Sequence, residues 1–317
     1  MESAEQTSSL SCRKTVILFL LSDSKRGCFM KVYHKFVWVG VYLAIVLVNV
    51  PSAWGDAASE AYEKGLRLLQ QGQHNNAIPE FDKALRLNPR YVEAYNKRGE
   101  AFNELAQYER ALKDFDAALG LNSQFAEAYF NRGNAYNDLG QAERAIKDYD
   151  EALRVDQNYL GAYYNRALAH MSLRRGEAAA DARAYLKIKG WKDENARDQY
   201  MVLFAHFSDR WAKRDTEARL ILDEGASKCD TLKWPYPIIR YLRREMTIQD
   251  LLAAANDVDK KTEARTYVGL DLMLMGNRVD GVTHLEWVRE NGRKAFAEYG
   301  FAVNELRQAG AGNAAKP

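Results

Sequence analysis

The sequence predicts an all-α fold, a solenoid of antiparallel helix hairpins followed by a divergent helical extension. Three observations predict it. Only 6 of the 317 residues are Pro while Ala occurs 44 times, a balance that favours helices over turn-rich β structures. One residue pattern returns at a fixed step of 34. Beyond it, apolar anchors, paired Gly residues and an N-cap signature continue in helical spacing to about residue 310. At 47% hydrophobic with 3 Cys, the chain is too apolar for disorder and too poor in Cys for a disulfide scaffold.

The first 57 residues read as a leader. Residues 1–29 precede Met30 and read as a start-site artefact or a leader extension, and the apolar run at 16–21 is too short to span a bilayer. Residues 30–57 read as a signal peptide. Lys31, His34 and Lys35 precede an apolar run from Phe36 to Val50, and the small residues Ala53, Gly55 and Ala57 follow in a cleavage-site pattern. The uncharged stretch 36–54 leaves a second reading, an uncleaved membrane anchor. Both readings export the remainder, to the periplasm or beyond the cell. Residues 1–55 hold six of the 45 basic and three of the 43 acidic residues, so 39 face 40 in the body. The formal charge of +2 therefore belongs to the leader, and the body has no basic excess of the kind that nucleic-acid binding requires. Cys229 is the one Cys left, so the body forms no internal disulfide, and no Cys follows the apolar run to carry a lipid.

From residue 58 the spacing Gly-x11-Ala-x3-aromatic-x2-Ala occurs three times. Gly65, Ala77, Phe81 and Ala84 recur as Gly99, Ala111, Phe115 and Ala118, then as Gly133, Ala145, Tyr149 and Ala152. Gly and Ala at these offsets let two helix backbones approach closely, and the aromatic fills the wedge beside them. The copies are 58–91, 92–125 and 126–159. A degenerate fourth, 160–193, keeps Tyr163 and Ala179 but has Ala167 for Gly and Arg183 for the aromatic. Asn88-Pro89 ends the second helix of the first copy, and Pro79 lies early enough in that helix to be tolerated. Arg98, Arg132 and Arg166 share the 34-residue step with Asp114, Asp116, Asp148 and Asp150, which predicts a structural Arg–Asp network between neighbouring helices.

This pattern resembles the tetratricopeptide repeat. The resemblance implies a right-handed superhelix whose first helix in each copy, helix A, lines a concave groove through positions two, five, six, nine and twelve. Those positions hold Asn96, Lys97, Glu100 and Asn103 in the second copy, Phe130, Asn131, Asn134 and Asn137 in the third, and Tyr164 and Asn165 in the fourth. The implied partner is a protein or an extended peptide segment. Asn131 and Asn165 resemble rungs of an asparagine ladder, in which amides satisfy a peptide backbone. A solvated polar face is the plainer reading of the same residues. The family's carboxylate clamp is absent, because Tyr62 and Leu66 stand at its Lys and Asn positions.

Residues 194–310 keep the helical grammar without the clean pattern. Residues 196–212 and 216–228 read as a pair, residues 237–245 as a helix, and Thr247 with Asp250 as the N-cap of another through Ala255. Gly269 and Gly281, followed by Leu285 and Val288, mark a divergent copy at 262–295. Residues 294–308 then read as a capping helix and 311–317 as a disordered tail.

No catalytic motif stands out, and neither a cofactor nor a metal is expected. His74, His170, His206 and His284 are scattered, and Cys229 has no sequence partner. The leading expectation is a non-enzymatic exported scaffold that binds a protein segment in its groove, similar to bacterial envelope tetratricopeptide lipoproteins but without the lipid-attachment Cys. A hydrolytic enzyme using His206, Cys229 or His284 in the C-terminal region is the first alternative. A membrane-anchored organiser of an envelope complex is the second.

Overall fold

The computed structural model describes residues 56–191 and 197–314, so the leader lies outside the described residues. The chain divides into two units between Ser59 and Glu60. Of the first, the described residues 56–59 are helical. The second is helical throughout, with no strand among its described residues. It is an α-solenoid of antiparallel hairpins.

In this second unit α1 spans 60–70, α2 His74–Leu87, α3 Val92–Glu104, α4 Tyr108–Leu121, α5 Ala126–Asp138, α6 Ala142–Val155, α7 Leu160–Ser172 and α8 Ala178–Lys189. The odd-numbered helices are the A helices and the even-numbered ones the B helices of the four copies. An ideal Cβ on Gly65, Gly99 or Gly133 would lie 2.6, 2.6 or 2.7 Å from a ring carbon of Phe81, Phe115 or Tyr149. Each ring is fully buried. The glycine hydrogen therefore sets how closely A and B approach, and Ala77, Ala111 and Ala145 are wholly buried in the same contact.

Two devices recur in the closing of the hairpins. The A–B turn holds a left-handed residue at Gly72, Ala106, Gly140 and Arg174, one per copy. The B helix ends at Asn88, Asn122 or Asp156, whose Oδ1 accepts the backbone N–H two residues on, at 3.1, 2.9 and 2.9 Å. Copies are joined by the predicted network, with carboxylates on both sides of each arginine. Arg98 donates to both Asp114 oxygens at 2.8 and 2.7 Å and to Asp82 of the preceding copy at 2.6 Å. Arg132 repeats this with Asp148 and Asp116, and Arg166 with Asp181 and Asp150. Asp181 lies 15 rather than 16 residues after its arginine, in a helix that begins at Ala178.

The extension continues as α9 Arg197–Trp211, α10 Asp215–Lys228, α11 Tyr236–Leu242, α12 Ile248–Ala254, α13 Val258–Leu274, α14 Arg278–Asn291 and α15 Ala297–Ala314. Thr247 caps α12 as expected, accepting Asp250 N–H at 3.1 Å. Gly269 meets Leu285 as the repeat glycines meet their rings, with a Cβ position 2.6 Å from Leu285. Two features depart from the expectation. Helix α15 runs to Ala314, into the segment read as a tail, because its Ala-rich end keeps helical backbone bonding despite Gly310 and Gly312. It also does more than cap α13 and α14, for it returns to α7. Phe301 sits edge-on to Phe204 at 6.2 Å, Asn304 Nδ2 donates to Ser172 O at 3.1 Å, and Arg174 Nε lies 3.2 Å from Glu305.

Two stability measurements test this packing. Gly99→Ala forces a Cβ into the Phe115 ring and should cost about 1–3 kcal/mol in denaturant unfolding. Ala106→Gly removes the strain of a β-carbon at φ 55° and should stabilise by about 0.5–1 kcal/mol, whereas no gain would show the turn to be unstrained.

Candidate functional site

The A helices form the inner side of the array. Helix α3 packs directly on α5 and α5 on α7, whereas B helices pack on A helices of their own and the next copy. The closer approach of successive A helices puts their exposed faces inside the curve.

Residues predicted to line this face divide into three groups. Lys97 is the charged centre, with Nζ 2.9 Å from Glu100 and 2.7 Å from Glu127 of the next copy. Burial opposes its charge, but the two carboxylates outweigh it and raise its pKa. The amides form a second group, and they bond to one another. Asn131 Nδ2 donates to Asn96 Oδ1 at 3.1 Å, Asn165 Nδ2 to Asn134 Oδ1 at 2.7 Å, and Tyr149 OH to the same Asn134 oxygen at 2.9 Å. Asn103 Nδ2 likewise donates across copies to Asp138 at 3.2 Å. Asn137 is exposed. Aromatic rings make the third group. Phe130 lies 6.0 Å from Tyr149 and 5.0 Å from Tyr159, and Tyr164 lies 6.2 Å from both Tyr185 and Phe204.

Asn96 corrects the expectation of a groove residue, since it is 0% exposed and cannot meet a partner. The reason lies in its register. Position five is Tyr62, Phe130 and Tyr164 in the other copies, so Asn96 occupies an aromatic packing position. Asn131 and Asn165 keep free carbonyl oxygens, but one donor of each amide serves the neighbouring copy rather than a bound backbone.

Sequence reasoning missed a second row of rings. Tyr62 faces Tyr91 at 4.9 Å, as Phe130 faces Tyr159. Tyr91, Phe125 and Tyr159 stand 34 apart, at the last position of each copy, and that step was the signal for them. It also missed a buried acid cluster in the extension. Glu263 accepts Trp234 Nε1–H at 2.7 Å and Tyr200 OH at 2.9 Å, and Glu298 accepts Tyr267 OH at 3.0 Å. Burial, reinforced by the nearby Glu298, pushes Glu263 up to about 8, and burial raises Glu298 as well. The scattered histidines do not assemble a site. His206 Nδ1 donates to Ala218 O at 2.8 Å, His284 Nδ1 lies 3.4 Å from Arg265, and no carboxylate hydrogen-bonds either ring.

A family model for the tetratricopeptide repeat matches residues 65–106, 101–140 and 133–173. Residues 65–173 are tetratricopeptide repeats. A tetratricopeptide repeat protein from Parabacteroides merdae ATCC 43184 is 15% identical, with 80% of this chain and 100% of that chain covered at a TM-score of 0.53, and it shares the fold. The MamA protein is 18% identical over 61% of this chain and 98% of its own, at a TM-score of 0.48. The first tetratricopeptide domain of Spaghetti (RPAP3), solved with an HSP90 peptide, is 28% identical over 38% of this chain and 94% of its own, at 0.37. No curated protein matches the chain.

The extension that follows the repeats carries a pH prediction. Glu263 is neutral in the fold up to about pH 8 and ionises near pH 4.5 when unfolded. Its contribution is therefore full below about pH 4.5 and is lost as pH rises through 8. Glu263→Gln should raise stability by about 2 kcal/mol near pH 8 and by little at pH 4, read from thermal melts at both values.

Proposed function

We propose that this protein is an exported, non-enzymatic scaffold that holds a protein segment along the inner face of residues 58–193. The carrying observation is the arrangement around Lys97. A cation shared by Glu100 and Glu127 sits on the face that also carries two half-buried ring pairs, Tyr62–Tyr91 and Phe130–Tyr159. Such a surface gives a peptide apolar shelves for its side chains and a charged register point between them. Tetratricopeptide arrays serve as interaction scaffolds, and the regular closure of the copies keeps this face fixed. Among the described residues no helix is long and apolar enough to cross a membrane. Export rests on the apolar segment 36–54, and N-terminal sequencing of the mature protein tests it. A start at Asp56 or Ala58 is expected, while an intact leader would favour a membrane-anchored organiser.

The groove is tested by cross-linking pull-down with the Lys97→Ala, Phe130→Ala double variant. Partners retained by the wild type should fall about tenfold or more, as for loss of a central anchor pair. An unchanged partner set with the fold intact overturns the groove. Activity surviving alanine at His206, Cys229 and His284 together would exclude the hydrolytic site that those residues would form.

A further inference from the structure

The turns between paired helices hold a left-handed residue. Gly72, Gly140 and Gly276 take it at φ 69°, 71° and 84°, where glycine is unstrained. Arg174, Lys213 and Arg244 take it at φ 53°, 58° and 66°, where a β-carbon is strained. All three of these basic residues border one pair of adjoining clefts.

The first cleft, about 630 Å³, lies against Arg174, Trp211 and Lys213. The second, about 650 Å³, lies against His206, Arg219, Arg243 and Arg244. Arg210 and Asp215 border both. Each volume is that of a small-molecule site.

The charges are held from behind and loosely covered in front. Asp271, 0% exposed, accepts Arg244 Nη1 at 2.7 Å and Nη2 at 3.1 Å and lies 3.8 Å from Arg210, while Tyr241 OH donates to it at 2.9 Å. On the solvent side the acids are exposed. Asp215 lies 3.0 Å from Arg210, and Asp223 and Glu245 lie 3.0 and 2.7 Å from Arg243. Exposed pairs of this kind are weak and exchange readily with a bound anion. Arg219 and Lys213 are paired with no acid among the described residues.

A neutral ring stands behind the arginines. His206, on the wall of the second cleft, is 4% exposed, and its Nδ1–H is fixed on Ala218 O. Nε2 is then a lone pair; it has no partner and is itself buried. Burial holds the ring neutral, with a pKa lowered to about 4, so Nε2 accepts a hydrogen bond and carries no charge.

We propose that these adjoining clefts bind a small phosphate-bearing molecule, with Arg219, Arg243 and Arg244 of the second cleft and Lys213 of the first supplying the positive charge. Arginines approach from α9, α10 and the α11–α12 turn. Forks converging from separate elements suit a tetrahedral oxyanion better than a planar carboxylate. The site is independent of the inner-face reading, which rests on different residues.

Isothermal titration of the full chain with inorganic pyrophosphate in ~150 mM salt, where diffuse surface attraction is screened, tests the proposal. Binding with a Kd below about 1 mM is expected, with citrate at least tenfold weaker. Arg219→Gln and Lys213→Gly change exposed, unpaired side chains, and together they should weaken pyrophosphate by about tenfold or more. Lys213→Gly should also melt at a higher temperature, because it relieves the turn while removing the charge. No heat with pyrophosphate, citrate binding as tightly, or an unchanged affinity in the folded double variant would each overturn the site.

Discussion

A hydrogen atom in place of a methyl group governs the geometry of the array. At Gly65, Gly99 and Gly133 the opposing ring lies where a β-carbon would be, at 2.6–2.7 Å. That closeness fixes the angle and depth of each hairpin, and the angle decides which positions face inward. Once the A and B axes are set, Lys97, Phe130 and Asn131 fall on the inner side and the small Ala residues fall between helices. The fourth copy shows what happens when the pair is lost. Ala167 and Arg183 replace it, α8 starts late, and Arg183 reaches out to Asp209 instead of filling the wedge.

The second constraint acts between copies. Each arginine of the 98–132–166 series is gripped by one buried or nearly buried Asp from its own hairpin and an exposed one from the hairpin before. It also lies over the ring of Tyr95, Tyr129 or Tyr163, at 5.6–5.7 Å. A residue with three simultaneous partners fixes the stacking step as well as the spacing. The inner face thus inherits its register from a network that ties the helices of neighbouring copies together.

Legibility followed periodicity. The hairpins, the glycine contacts and the arginine network repeat every 34 residues, so each copy could be checked against the next. The rings at Tyr91, Phe125 and Tyr159 carried the same signal and were readable in principle. Asn96 misled because residue type argued for a polar face, while the column it belongs to, with Tyr62, Phe130 and Tyr164, argued for packing. The Glu263 cluster and the return of α15 to α7 lie beyond such reading. Trp234, Tyr200, Glu263 and Glu298 come together from four separate places in the chain, and nothing in their spacing announces it.

The return of α15 also divides the molecule by how it tolerates change in copy number. In the first three copies the hydrogen bonds and ion pairs among the described residues reach only the neighbouring hairpin, so a unit could be gained or lost there with its neighbours' interfaces preserved. From α7 onward, a helix more than 130 residues away in sequence is bound to Ser172 and Arg174. Inserting a hairpin within that loop would pull Phe301 away from Phe204 and open the largest apolar core among the described residues. The N-terminal half is thus free to lengthen over evolutionary time, while the C-terminal half is locked at a single size.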